Sequence, residues 1–415
     1  MRILHTSDWH LGQNFYTKDR KKEHEKFLNW LLHCLTANQV DALIVAGDIF
    51  DTAAPPNYAL EQYYRFIKGL AKTPCRQTVI VGGNHDSASN LQAPKDLLKL
   101  FNVHIVGSIS KQSSVEDILV LDNDKGEPVG VVCAVPFLRE RDIRSAVPGE
   151  TYADKSLAYQ NGIASYYCNM LTEALKICAG LGGAVRLPII ATGHLFTAGS
   201  ELSDGVRDIA VGSLDGISTS VFPAGYDYVA LGHLHKPQRV GGHDTIRYSG
   251  SPLPLSFGEA RLAKQVVIVD FVAGKPAEIR TVEVPGFQAI ESVKGDWPVI
   301  ENYFDSIRNR EDEIWLEVVL ETDDWGEQAK VRIDALAKGT SAQVLVVKRA
   351  GRNVLALRET ASRPTLAEFL PAEVFGELLK LAEIDDEVKR TELTLCHDEL
   401  LERAWQRWRL TKDED

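Results

Sequence analysis

Five short clusters in this 415-residue chain carry side chains able to hold cations. Asp8-Trp9-His10 is D-x-H, Gly47-Asp48-Ile49-Phe50-Asp51 is G-D-x-x-D, and Gly83-Asn84-His85-Asp86 is G-N-H-D. Gly193-His194 and Gly232-His233-Leu234-His235 complete the set. Imidazole and carboxylate suit manganese, iron or zinc, and an amide oxygen such as that of Asn84 suits a hard ion. A carboxylate such as Asp48 can bridge two cations about 3.5–4 Å apart, the spacing of two-metal phosphate-ester hydrolysis. A lone D-x-H occurs by chance in many proteins, and a lone Gly-His is more often a turn or core feature than a ligand. The signal lies in all five occurring in order, each in the same local context.

That context is a short buried run directly before each cluster. RILHTS leads to Asp8 and His10, DALIVAG to Asp48, QTVIVGG to Asn84, LPIIATG to His194 and DYVALG to His233 and His235. Apolar runs of this length bounded by glycine read as fully buried strands. Helical spacing lies between some of them; residues 24–37 place Phe27, Leu31, Leu32 and Leu35 on one face. Strands alternating with helices and ending in polar clusters predict an α/β sheet with its site at the strand ends. All five clusters are expected on one rim of one sheet. Further strands are expected near 128–135, 245–249, 265–272 and 278–284.

Val284-Pro285-Gly286 marks a boundary. Beyond it the pattern becomes strand 287–293, helix 298–309, strand 314–321, helix 325–338 and strand 342–349, a small α+β unit without ligand-type clusters. Residues 364–413 read as charged helix, started by Arg363-Pro364-Thr365. The expected division is a catalytic domain 1–283, a capping domain 284–350 and a C-terminal helical segment 351–415.

Hydrophobic residues make up 44% and charged residues 25%, an ordinary globular balance. No apolar run is long enough to span a bilayer and the start lacks a secretory pattern, so a cytoplasmic protein is expected. The six cysteines are scattered singly, without C-x-x-C spacing, which fits a reducing compartment. Net charge is −12, and residues 284–415 carry most of it, with 18 Lys+Arg against 28 Asp+Glu. That balance argues against coating nucleic acid by charge alone, but not against a nuclease, because bound cations supply positive charge where phosphate sits.

The five motifs resemble the calcineurin-like metallophosphoesterase superfamily in order and spacing. HTSDWHLGQNF, VAGDIFDTAAPP, GGNHDS, IIATGHLF, VALGHLHKPQ and YSGSPLPLSF are similar to its SbcD nuclease branch. The resemblance covers residues 1–283 strongly and the remainder by architecture. It implies two mixed β-sheets flanked by helices, a capping domain, and helices that meet an SbcC-type, SMC-like ATPase. It further implies one cation on Asp8, His10, Asp48 and His235 and another on Asp48, Asn84, His194 and His233, most often Mn²⁺. His85 would face substrate, with Asp51 hydrogen-bonding and orienting it. The implied activity is ATP-dependent exonuclease action on DNA double-strand ends and hairpins, with single-strand endonuclease action, in DNA repair, recombination and replication. A homodimer associated with the nucleoid is implied as well.

Other features have two readings. Lys18, Arg20, Lys21 and Lys22 are a solvated helix start or a DNA-backbone contact. Arg139, Arg141 and Arg144 are surface charge or a DNA or partner contact. Trp405 and Trp408, with Leu400, Leu401 and Ala404, form an apolar stripe for this chain's own domain or for a partner coiled coil. The same metal ligands would also serve a phosphomonoesterase or a cyclic-nucleotide phosphodiesterase. The long extension after the catalytic residues favours the nuclease. A non-enzymatic scaffold is disfavoured because His85 and every ligand position are intact.

Overall fold

The computed structural model describes residues 1–110, 114–145, 149–182, 186–198, 200, 216–322, 327–350 and 393. Residues 2–283 form a sandwich of two six-stranded sheets. In the first, Arg2–Thr6, Ala42–Ala46, Gln77–Val81 and Val103–Val106 run parallel, and the antiparallel strands Gln265–Asp270 and Glu278–Glu283 extend the edge beside Arg2–Thr6. The second is built on Pro128–Cys133, Ile189–His194, Tyr228–Gly232 and His243–Tyr248, all parallel. Ile118–Asp122 and Gln238–Val240 close its two edges antiparallel.

The strands bury both faces for different reasons. Ile3, Ile44, Val79, Val81, Val267 and Val269 of the first sheet meet Val132, Ile190, Tyr228 and Ala230 of the second in one apolar layer between the sheets. The other face of the first sheet packs Leu4, Leu43, Val45 and Ile80 against helices Lys21–Ala37 and Asn57–Leu70. The outer face of the second is covered by helix Tyr152–Gly180, whose Ile163, Tyr167, Met170, Leu171 and Ala174 fall on one stripe. Thr151 and Asp154 cap that helix reciprocally.

Residues 289–349 add a parallel three-stranded sheet, Ala289–Gly295, Ile314–Leu320 and Ala342–Arg349, with helices Trp297–Ser306 and Glu327–Ala337. It has its own core around Ile300, Phe304, Ile314, Leu316 and Ile333. Trp315 and Ile290 meet Phe15 and Phe257 of the sandwich, with the Trp315 and Phe15 rings stacked 5.5 Å apart. Among the described residues no helix is long and apolar enough to cross a membrane. Trp405, Trp408 and the rest of 351–415 apart from Leu393 lie outside the described residues.

Candidate metal centre

The five clusters converge, but on a rim shared by two sheets rather than on one. Asp8, His10, Asp48, Asn84 and His85 leave the ends of first-sheet strands, whereas His194, His233 and His235 come from the second. A strand packed between helices and a partner sheet is as uniformly apolar as one packed between two layers of helices, so the sequence pattern does not distinguish them.

Backbone hydrogen bonds zip the first two loops together. The Asp8 N–H donates to the Gly47 carbonyl (3.0 Å), His10 to Asp48 (3.1 Å) and Leu11 to Ile49 (2.9 Å). Asp8, His10, Asp48 and His233 all adopt positive φ, at 53°, 46°, 51° and 100°. Non-glycine residues pay for that conformation, and its concentration at one rim marks a functional site. The glycines of the motifs permit close approach: a Cβ on Gly83 would overlap the Asp48 carboxylate, and one on Gly232 the Ala46 carbonyl.

Asp48 lies at the centre. Its Oδ2 is 3.2 Å from His194 Nε2 and 3.6 Å from His10 Nε2, and its Oδ1 accepts the His85 N–H at 2.9 Å. Asn84 Oδ1 is 2.9 Å from His194 Nε2 and 3.0 Å from His233 Nδ1. Asp8 Oδ1 accepts the His233 N–H at 2.9 Å, and Oδ2 accepts the Ser7 hydroxyl at 2.5 Å. Ligand-capable atoms of Asp8, His10 and His235 lie within 4.8 Å of one another, as do those of Asp8, Asp48 and His194. His10 Nε2 is buried without a hydrogen-bond partner, a costly state for an imidazole nitrogen unless something else uses its lone pair. Orphaned nitrogen, central carboxylate and mixed nitrogen–oxygen donors together fit a dinuclear divalent-cation site.

The electrostatics follow from burial against carboxylates. Burial alone would push the His194 imidazole down, but the Asp48 charge beside it outweighs this and holds it up to about 9. Burial would push Asp48 up, yet His194 and His10 hold it well below the usual carboxylate range. Burial and the neighbouring His194 push His233 down to about 3, and the Asp48 charge offsets them only in part. Cations compete with protons for these donors, since a histidine ligand must be neutral.

Asp51 requires a correction. Its carboxylate does not stand behind His85; Asp51 Oδ1 is 3.2 Å from His10 Nδ1. His85 Nδ1 instead meets the backbone carbonyl of Asp51 at 2.8 Å. The loop turns so that Asp51 offers its carbonyl to one ring and its side chain to the other, and those rings lie edge to face 4.9 Å apart.

The basic run is also corrected in part. Arg20 is fully buried: Nε donates to Glu23 Oε2 (2.7 Å), and Nη1 donates to Gln13 Oε1 (2.7 Å) and the Pro254 carbonyl (2.8 Å). It cannot reach a DNA phosphate. Lys18 bonds Gln343 of the capping sheet, whereas Lys21 and Lys22 are exposed. Arg144 is engaged by Glu140 and Glu150, and Arg141 is exposed.

Asp86 is a participant without a ligand role. It accepts the N–H groups of Gly83 (2.9 Å), Ile49 (3.1 Å) and Phe50 (3.0 Å), and so ties the Asp48 loop to the Asn84 loop. Burial, with the Asp48 charge adding to it, raises its carboxyl to about 6. The G-N-H-D motif contains this residue and its partner Gly83, but its partners Phe50 and Ile49 lie 36 and 37 positions away.

Comparison with known proteins agrees with this geometry. Residues 1–163 match the family described as calcineurin-like phosphoesterase, and residues 286–383 match the type 5 capsule protein repressor C-terminal domain. The chain is 41% identical over 388 residues to the SbcD subunit of the SbcCD nuclease of Escherichia coli strain K12, covering 93% of this chain and 94% of that one. Proteins of the same description from Rhodobacter capsulatus and Bacillus subtilis are 37% and 32% identical, covering 66% and 78% of this chain and 67% and 80% of theirs.

Proposed function

The chain belongs to the SbcD family of metal-dependent nucleases, phosphodiester hydrolases with a calcineurin-like fold, and from that premise we propose how its site is used. The substrate is DNA, attacked at double-strand ends and hairpins exonucleolytically and at single strands endonucleolytically. One cation is held by Asp8, His10, Asp48 and His235, the other by Asp48, Asn84, His194 and His233, and the metal is Mn²⁺. The observation that carries this is the Asp48 carboxylate standing between His10 Nε2 at 3.6 Å and His194 Nε2 at 3.2 Å.

Bound there, divalent cations supply Lewis-acid stabilisation to a phosphodiester undergoing in-line attack. The protein's own groups do the rest. The Asp51 carbonyl accepts the Nδ1 proton of His85 and so leaves Nε2 directed elsewhere. From there His85 donates to the phosphoryl oxygens or to the leaving oxygen as charge accumulates. Exposed Lys21 and Lys22 contribute backbone contacts.

An SbcC-type, SMC-like ATPase is the partner, docked through 351–415, with Trp405 and Trp408 in the interface, and its ATP hydrolysis drives exonuclease action. The working unit is a homodimer, supported by Leu97, Leu100 and Phe101, exposed at 60%, 78% and 50% on and just beyond the short helix Lys95–Lys99. Action in repair, recombination and replication at the nucleoid follows from that substrate. The test is cleavage of a labelled DNA hairpin in Mn²⁺, with and without the ATPase, against p-nitrophenyl phosphate esters. Hairpin opening supports the proposal. Turnover of the small esters with intact hairpin would favour a phosphomonoesterase or cyclic-nucleotide phosphodiesterase.

A further inference from the structure

His235 is held differently from His194 and His233, the other two histidines that the second sheet brings to the rim. Nδ1 of His194 meets a backbone carbonyl and Nδ1 of His233 the Asn84 amide. Nδ1 of His235 lies 3.2 Å from Oε1 of Glu259, a carboxylate with no solvent exposure. The other oxygen, Oε2, accepts Lys264 Nζ at 2.6 Å and the Leu255 N–H at 3.1 Å. Lys264 is 5% exposed, and its ammonium also donates to Ser251 Oγ (2.8 Å) and to the carbonyl of His235 itself (3.1 Å). Three acceptors satisfy its three protons. The lysine thus grips the backbone of His235 and, through Glu259, its ring.

We infer that Glu259 and Lys264 are positioning residues for His235, a buried acid–base pair that fixes the imidazole tautomer so that Nε2 presents its lone pair to the cation. An Nδ1–H donated to a carboxylate leaves Nε2 as the basic nitrogen, and a carboxylate behind a ligating imidazole strengthens it as a donor. The lysine stands 2.6 Å from that carboxylate as its buried counter-charge. Neither residue touches the cation or the phosphate. Glu259 also ends the short turn Phe257–Glu259, whose Phe257 packs against Phe15 in the cluster that contains Trp315 of the capping sheet. The grip on His235 is therefore continuous with the capping-domain contact.

The inference rests on the metal reading above, and the test separates the two. Glu259→Gln alone strands a buried ammonium and can unfold the protein, so the informative variant is Glu259→Gln/Lys264→Met, which removes both charges together. Mn²⁺ binding to the full chain is followed by calorimetry, thermal melting is followed after chelation, and the visible spectrum is recorded after Co²⁺ substitution. The double variant should melt near the wild type when metal-free, bind one Mn²⁺ roughly 10–100-fold more weakly, and show an altered Co²⁺ spectrum. Wild-type affinity at both sites with an unchanged spectrum would overturn the inference and leave the metal reading standing. A wild-type chain that binds no Mn²⁺ would overturn both. Glu259→Asp, which keeps the charge and shortens the reach, should recover part of the lost affinity.

Discussion

The Asp51 carboxylate stands 3.2 Å from Nδ1 of His10, and the Asp51 carbonyl stands 2.8 Å from Nδ1 of His85. One residue therefore fixes two imidazoles with two different groups. Asp51→Asn keeps the carbonyl and removes the charge. It should weaken the cation on His10 by roughly 10–100-fold while leaving the His85 tautomer unchanged. Mn²⁺ titration checks the first part, and nitrogen chemical shifts of the His85 ring check the second. A shift at His85 with normal Mn²⁺ affinity would reverse the assignment.

Asp48 stands between imidazoles from both sheets, His10 from the first and His194 from the second. Asp48→Asn should abolish cleavage and weaken both cations, because the shared charge is gone. Elemental analysis after gel filtration gives the metal content directly. Two full equivalents in an active Asn variant would contradict the bridging role.

Arg20 predicts a stability defect instead of a binding defect. Arg20→Ala leaves Glu23 buried without its partner, a loss of roughly 3–5 kcal/mol for a broken buried pair. Urea unfolding should show it. The salt dependence of DNA binding should stay at the wild-type slope. Removing exposed Lys21 or Lys22 should do the opposite, lowering the slope by about one for each phosphate no longer neutralised.

How far these roles are legible in sequence depends on how local their causes are. Asp8, Asp48, Asn84, His194 and His233 announce themselves because a strand, a glycine and a ligand sit within a few residues. The strands and helices of residues 289–349 are read nearly to their observed bounds, because they alternate with clear spacing. Arg20 is not legible, since Gln13, Glu23 and Pro254 bury it from separate segments. Glu259 and Lys264 are not legible because their partner His235 is 24 and 29 positions away. The division of the ligands between two sheets is hidden because an apolar strand does not record which layer covers it. Nothing in the strand-and-cluster pattern announces the helix Tyr152–Gly180; its own signals are the Thr151–Asp154 cap and the spacing of its buried stripe.

His5 gives the fold a pH dependence. It is completely buried, with Nδ1 3.0 Å from the Tyr228 hydroxyl and Nε2 3.2 Å from the Leu231 carbonyl of the opposite sheet. Burial lowers its pKa from 6.5 to about 3. A base whose folded pKa lies below its unfolded value is neutral when folded and takes up a proton on unfolding. Its contribution is complete above pH 6.5 and is lost as pH falls through 6.5 toward 3. At 1.36 kcal/mol per unit, the loss from pH 6.5 to 5 is about 2 kcal/mol. His5→Gln should flatten the fall in urea-unfolding free energy over that range by this amount. A variant with the wild-type slope would show that His5 does not titrate on unfolding.

A His85 variant tests whether catalysis can be separated from cation binding. His85 follows the buried strand Gln77–Val81, and its N–H is fixed on Asp48 Oδ1 at 2.9 Å, so its backbone is placed by the carboxylate proposed to bridge the cations. Its neighbour Asn84 turns an oxygen toward His194 and His233, whereas the His85 ring turns away toward the Asp51 carbonyl and the edge of His10. Consecutive residues thus turn to different sides, Asn84 toward the proposed cations and His85 toward the proposed substrate side. A donor placed there matters most where negative charge accumulates, which is the transition state. Losing a general acid typically costs about 10²–10⁴-fold in rate, equivalent to roughly 3–5 kcal/mol of barrier. His85→Leu should keep the fold, two equivalents of Mn²⁺ and the affinity for a DNA hairpin, and should cut exonuclease turnover with the ATPase partner within that range. Single-turnover kinetics, metal analysis and DNA binding on the same preparation distinguish the outcomes. Cleavage near the wild-type rate would remove His85 from the mechanism, and loss of one cation would make it a ligand, in which case the roles of Asn84 and His233 would have to be reassigned.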